Sequence, residues 1–178
     1  MSSQPIYSGK ILKLRVDTVR MTDGRETTRE IVEHDDCVAV IPVDDEDNVL
    51  LVEQFRLAAG EKLLEIPAGG IDHGESAETA VRRELREEIG YLPKKVVRLT
   101  GFYLSPGFST EYLHLYLATD LKPSRLHAED TDGIEVVRIP GGEINELIAS
   151  GRIYDSKSIA GLLFYLKYRE DLSCLPED

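Results

Sequence analysis

Apolar and polar residues alternate in the first part of the chain. Between Ile11 and Met21, Leu12, Leu14 and Val16 alternate with Lys13, Arg15 and Asp17, and the turn dipeptide Asp23-Gly24 follows. A period of two closed by such a dipeptide predicts a hairpin, with its return strand over Thr28 to His34. Cys37 to Val43 and Val49 to Val52 are continuous apolar runs separated by Asp44-Asp45-Glu46-Asp47-Asn48, which predicts two buried strands joined by an acidic loop. That loop lacks the glycine and terminal glutamate of a calcium-binding loop. Leu63 to Ile66 predicts a strand running straight into a glycine-rich stretch. The period then changes: Ala77, Val81, Leu85 and Ile89 recur every four residues, with Ser76 as N-cap and Gly90 as the stop, the pattern of an amphipathic helix. Lys95 to Tyr103, Glu111 to Leu121 and Ile134 to Ile139 read as strands, and Gly142 to Ala149 as a helix. Asp155 or Ser156 caps a C-terminal helix whose apolar face is Ile159, Leu162, Leu163 and Leu166, read as packing rather than chemistry. The tail from Ser173 to Asp178 is expected to fray.

The polar face of the first helix is unusual. Glu84, Glu87 and Glu88 stand at i, i+3 and i+4, so their carboxylates converge on the last turn, beside the negative end of the helix dipole. Each like-charge pair costs about 0.2 to 0.5 kcal/mol, so a purely structural helix gains by losing one of them. A bound dication reverses the sign, because hard cations take carboxylate oxygens. A solvated acidic face is the bland alternative.

The 23 residues Gly69 to Tyr91 carry the spacing Gly69-x5-Glu75-x7-Arg83-Glu84-Leu85-x-Glu87-Glu88-x-Gly90-Tyr91. This resembles the Nudix box, the signature of hydrolases that cleave a nucleoside diphosphate linked to another group; only Tyr91 departs, where the family more often has an aliphatic residue. The resemblance implies that Glu84, Glu87 and Glu88 bind metal and that Glu75 and Arg83 tie the loop to the helix. Val52-Glu53-Gln54-Phe55-Arg56, followed by Leu64-Glu65-Ile66-Pro67-Ala68-Gly69-Gly70, looks like the ADP-ribose pyrophosphatase branch. There the carbonyl matching Ala68 is a further metal ligand and the arginine matching Arg56 reaches the substrate's phosphates; a surface ion pair is the other reading of Arg56. Pro106 lies 16 residues past Gly90, in the loop Ser105-Pro106-Gly107-Phe108-Ser109-Thr110-Glu111. This resembles the branch's ADP-ribose marker and implies that Pro106, Gly107 and Glu111 shape the substrate pocket. In the polar segment Lys122 to Gly133 the family places a glutamate that activates water. The best match is Asp132, one methylene shorter, with Glu129 just upstream, and a solvated loop is the alternative.

The resemblance further implies an α/β/α sandwich with a mixed sheet and helices on both faces, plus the N-terminal hairpin. Residues 1–178 read as one domain, with residues 1–34 in a dimer contact and residues 69–91 as the box. In the branch, the residues matching Arg29 and Glu30 meet the adenine from across a homodimer; edge-strand charges that discourage aggregation are the plain alternative. The implied reaction is Mg²⁺-dependent hydrolysis of ADP-ribose to AMP and ribose 5-phosphate, with Mn²⁺ as the alternative ion. Hydrolysis of a broader range of nucleoside diphosphate sugars, or a non-catalytic ADP-ribose sensor, are the competing functions.

Charge agrees with a metal. The 21 basic and 33 acidic residues leave a net charge of -12, which disfavours nonspecific nucleic-acid or anionic-membrane binding, so substrate phosphates must be met locally. No apolar signal segment opens the chain, and the longest apolar run, Ile159 to Leu166, is too short to span a bilayer, so a soluble, cytoplasmic protein is expected. Cys37 and Cys174 suggest neither a disulfide nor a zinc site, and the four histidines show no ligand spacing.

Overall fold

The computed structural model describes residues 2–128 and 131–171; Glu129, Asp130 and Cys174 lie outside them, as does the tail from residue 172 onward. The chain runs β1 (Ser2–Ser8), β2 (Leu12–Arg20), β3 (Glu26–His34), β4 (Cys37–Pro42), β5 (Asn48–Arg56), β6 (Glu61–Glu65), β7 (Ala68–Gly70), α1 (Ala77–Glu88), β8 (Tyr91–Tyr103), β9 (Tyr112–Pro123), β10 (Glu135–Pro140), α2 (Ile144–Ala149) and α3 (Ser156–Tyr168).

The apolar run of β4 needs two cores, and it has them. Val38 and Val40 pack with Val81 and Leu85 of α1 and with its C-cap Ile89, whereas Ala39 and Ile41 pack with Leu162 and Tyr165 of α3. Alternate side chains leave a strand on opposite faces, so the two helices cover opposite sides of the sheet β7-β4-β9-β8. Within it β4 and β9 are parallel, with Cys37 opposite Leu113, and the other pairs are antiparallel. β5 alternates in the same way, with Val49 and Leu51 in one core and Leu50 and Val52 in the other, although it belongs to a second sheet, β10-β5-β6. The acidic loop between β4 and β5 is a turn: the Asp44 carboxylate accepts from the backbone N–H groups of Glu46 and Asn48, both at 3.0 Å, and Asp47 has φ 61°.

Several expectations need correction. The N-terminal hairpin is a three-stranded sheet, β1-β2-β3, because β1 adds to β2. Every residue of β1 is exposed, so no hydrophobic alternation marks it. The strand expected to run straight into the glycine stretch is two strands in different sheets, β6 pairing with β5 and β7 with β4. The break falls at Ile66-Pro67: Pro67 has no N–H to donate, its carbonyl accepts from Val40 N at 2.9 Å, and Ile66 N donates to the Ser158 hydroxyl at 2.9 Å. β8 starts at Tyr91, directly after Gly90 at φ 78°, and holds Pro93 because it is an edge strand. In α3 the buried face is Ser158, Gly161, Leu162 and Tyr165, with Lys157 beside them, while Leu163 is 45% exposed.

The register of α3 has a direct test. Leu162→Ala should cost about 2 to 5 kcal/mol in urea unfolding, because it opens a core cavity, whereas Leu163→Ala should stay within about 0.5 kcal/mol. Equal losses would place the helix in another register.

Candidate active site

The short strand β7 and the start of α1 are joined by residues 71–76, and this connection is held by its own polar groups and by the backbone of Asp36. Ile71 N donates to the Asp36 carbonyl at 3.1 Å, Asp72 N to Glu75 Oε2 at 3.2 Å, and Thr79 N to the Ser76 hydroxyl, the N-cap of α1, at 3.2 Å. Arg83 clasps the loop to the helix. Its guanidinium donates to Glu75 at 3.2 and 2.9 Å, to the Gly70 carbonyl at 2.8 Å, to Glu84 at 2.6 Å and to Glu87 at 3.2 Å. Those carboxylates, Glu75 first, raise the Arg83 pKa, and the bonds from Arg83 hold Glu75 below its ordinary value.

The structure brings the three predicted glutamates together, and it does not leave them on a solvated face. Glu84 and Glu88 are only 8% and 6% exposed, with Glu87 partly buried beside them. Glu84 lies flat on β7, where a Cβ at Gly69 would fall inside its carboxylate; this close approach is the reason position 69 is glycine. Glu88 Oε2 accepts from Ala68 N at 3.2 Å, which sets Ala68 against the cluster. Burial, and then the Glu84 charge, push the Glu88 pKa up to about 8, against the opposing pull of the Ala68 N–H, Arg56 and Lys157. Buried carboxylates that repel one another offer oxygen ligands, which fit a hard dication such as Mg²⁺.

Three further charged side chains, Arg56, Glu65 and Lys157, adjoin the cluster. Arg56, at the end of β5, forks onto Glu65, Nε to Oε1 at 3.0 Å and NH2 to Oε2 at 2.6 Å. The ion-pair reading of Arg56 is therefore present, yet the same arginine acts electrostatically on Glu88. Lys157, from α3, also bonds Glu65 Oε2 and reaches Asp155 Oδ2 at 2.9 Å. Burial by itself would raise Glu65, but the bonds and charges of Arg56 and Lys157 hold it below its ordinary value. The sequence reading of α3 as packing alone missed Lys157. The signal lay in the period: Lys157 stands four and eight residues before the buried Gly161 and Tyr165.

The remaining residues are more dispersed. The segment after β9 is tied to the last turn of α1, with Ser124 N on the Gly90 carbonyl at 2.8 Å and Leu126 N on the Arg86 carbonyl at 3.0 Å. That anchors the loop in which exposed Asp132 lies; Glu129 is outside the described residues. Pro106 and Gly107 are exposed at the tip of a loop docked on β3, where Val32 N donates to the Phe108 carbonyl at 2.7 Å. Arg29 and Glu30 are exposed on β3, and the Arg29 guanidinium bonds Thr27, Thr28 and Met21. Glu111 meets His34 and Cys37, their donor atoms within 4.8 Å of one another, an association the spacing of the histidines did not announce. Burial first, with Glu111 beside it, pushes the Cys37 thiol up to about 12, so it is protonated at neutral pH, and a mixed S, N and O set does not suit Mg²⁺.

Residues 33–157 match the family model described as NUDIX domain, and residues 1–32 match one described as nucleoside diphosphate sugar hydrolase N-terminal domain. The chain is 37% identical to an ADP-ribose pyrophosphatase of Bacillus subtilis over 97% of this chain and 94% of that protein. It is 36% identical to a methanol dehydrogenase activator of Bacillus methanolicus, with the same coverage of each. The fold is similar to that of a crystal structure titled ADP compounds hydrolase, with a TM-score of 0.88 at 19% identity, covering 96% of this chain and 92% of that one.

Two outcomes follow from the geometry. Gly69→Ala should displace Glu84 and weaken Mg²⁺ binding by about tenfold or more, measured by calorimetry, with secondary structure retained. In metal-free protein Glu88 holds its proton more tightly folded than unfolded. Its contribution therefore favours folding at low pH and fades as pH rises from 4.5 towards about 8. Dication binding must displace that proton, so Mg²⁺ affinity should climb with pH up to about 8 and plateau above it, with proton release seen as buffer-dependent heats. A flat affinity between pH 6 and 8 would contradict the assignment of Glu88.

Proposed function

This chain belongs to the Nudix family, and from that premise we propose that it hydrolyses the diphosphate bond of ADP-ribose, yielding AMP and ribose 5-phosphate, with Mg²⁺ as its cofactor and Mn²⁺ as the alternative ion. The observation that carries the reading is the buried pair Glu84 and Glu88 laid against Gly69 and Ala68, an oxygen cluster that is unfavourable without a cation. Glu84, Glu87 and Glu88, with the Ala68 carbonyl, are the residues that would hold Mg²⁺, which supplies neutralisation of phosphate charge and a more acidic water.

The protein's own groups do the rest. Two of the five N–H donors of Arg56 are taken by Glu65, which leaves three without a partner among the described residues to meet a substrate phosphate. Asp132 or Glu129 accepts a proton from the attacking water, a contribution of roughly 10² to 10⁴-fold. Pro106, Gly107 and Glu111 border the sugar side of the pocket. Arg29 and Glu30 face the adenine from the partner subunit of a homodimer built on the β1-β2-β3 sheet. That sheet and the turn between its first two strands expose Ile6, Tyr7, Ile11 and Leu12, apolar surface that a second copy would cover. A broader nucleoside diphosphate sugar pyrophosphatase is the second reading, favoured by the description of the model that matches residues 1–32. No helix among the described residues is long and apolar enough to cross a membrane. A cytoplasmic location is part of the proposal.

Product formation from ADP-ribose, ADP-glucose and GDP-mannose, each with Mg²⁺ and with EDTA, tests the reading. We expect chelator-sensitive release of AMP with ADP-ribose preferred, and comparable cleavage of all three would move the assignment to the broader activity. Glu88→Gln should lower kcat by more than about a hundredfold. Asp132→Asn and Glu129→Gln identify the base: the one that matters should lose at least about a hundredfold, and unchanged kcat in both would remove the base from this loop.

A further inference from the structure

A lysine on the inner face of a helix gives up the hydration of its ammonium group, and it persists there only when carboxylates pair with it. Lys157 is 8% exposed and stands in the first turn of α3, where the helix dipole is itself positive and opposes a cation. Packing and helix stability therefore both argue against a lysine at this position. Its contacts explain it. Nζ bonds Asp155 Oδ2 at 2.9 Å and also Glu65 Oε2, the same oxygen that receives Arg56 NH2 at 2.6 Å.

Glu65, at 1% exposure, is thus a buried bridge with Lys157 on one side and the Arg56 fork on the other. The four charges, two positive and two negative, cancel. The neighbouring turn is pinned to the same place, since the Ser158 hydroxyl accepts from Ile66 N at 2.9 Å, two residues before Ala68. Asp155 is held as well, accepting from Ser158 N at 3.0 Å and from the Ser158 hydroxyl at 2.6 Å. Glu65 can therefore neither swing towards solvent nor follow Arg56, and the arginine's orientation is set from α3.

We propose that Lys157 is a positioning residue: acting through Glu65, it holds Arg56 so that the unused N–H edge of the guanidinium meets a phosphate of the nucleoside diphosphate substrate. This rests on the reading of Arg56 as a phosphate ligand in the hydrolysis proposed above. Without the ammonium, Glu65 and Asp155 both turn to Arg56 for compensation and draw it away from the substrate. The loss falls on substrate binding, because Glu84, Glu87 and Glu88 keep their own contacts with β7 and Arg83, and saturating Mg²⁺ offsets the smaller pull that Lys157 exerts on Glu88.

The test is a set of variants of the full chain, assayed with ADP-ribose and saturating Mg²⁺ and followed by thermal melting. Lys157→Met should raise KM about tenfold with kcat within about threefold of wild type. Lys157→Arg should recover most of that KM. The double variant Glu65→Gln with Lys157→Met removes both members of the buried pair, so its Tm should recover while its KM stays raised. In an Arg56→Met background, Lys157→Met should change KM no further. A lysine that serves only the fold predicts otherwise: KM recovers together with Tm in the double variant, or the Lys157 and Arg56 effects add in full. Either result overturns the proposal, and so does an unmoved KM in Lys157→Met. Absence of wild-type turnover on any nucleoside diphosphate compound would remove the functional reading and this role with it, whereas normal wild-type turnover with an unmoved KM removes only the role of Lys157.

Discussion

Crowding three carboxylates onto the last turn of one helix is the constraint on which the site depends. Glu84, Glu87 and Glu88 repel one another and the helix end, and burial of two of them raises the cost. The surroundings offset that cost by contact rather than by bulk charge, since the chain is strongly acidic. Arg83 bonds two of the three and fastens them to the preceding loop. The third, Glu88, receives a backbone N–H from Ala68 and feels Arg56 and Lys157. What remains is a cluster still short of positive charge, the condition under which a dication binds well.

The sheets deliver this arrangement through one break in the chain. At Ile66-Pro67 the backbone leaves one sheet and enters another, and Ala68 and Gly69 of β7 come to lie against Glu88 and Glu84. β4 is the shared wall: one set of its side chains packs against α1 and the other against α3. The two helices therefore lie on opposite faces of the sheet that holds the glycine strand. α1 brings the carboxylates, and the first turn of α3 brings Lys157 and Ser158 to the segment just before that strand. A helix that packs the second core thus also sets charge at the site.

Much of the fold was legible in the sequence because each buried element has its own period. The apolar runs of β4 and β5 announce strands covered on both faces, and the four-residue stripe of α1 announces its helix, with cap and stop at Ser76 and Gly90. An element without a buried face leaves no such mark, so β1 is silent, while the buried residue at the start of β8 is Pro93, which reads as a strand breaker, and the strand begins four residues before Lys95. In α3 a stripe of leucines suggested Leu163 as core, but glycine and serine fill the real face, since a small residue is what the close approach of Leu115 and Ile66 to Gly161 allows. Periodicity counts apolar residues, and this face is partly polar.

For the site, the sequence alone determined the local chemistry: which carboxylates converge, which arginine can reach them along the helix, and which glycines precede them, because helical spacing and the box pattern are contained in 23 consecutive residues. Tertiary structure alone decided burial and long-range pairing. That Glu84 and Glu88 are desolvated, that Gly69 must lack a side chain, and that Glu65 joins Arg56 to a lysine 101 positions further along the chain all depend on separate elements meeting across β4 and β7. Charge interactions between buried groups act through distance and solvent exclusion, and neither quantity exists until the chain has folded.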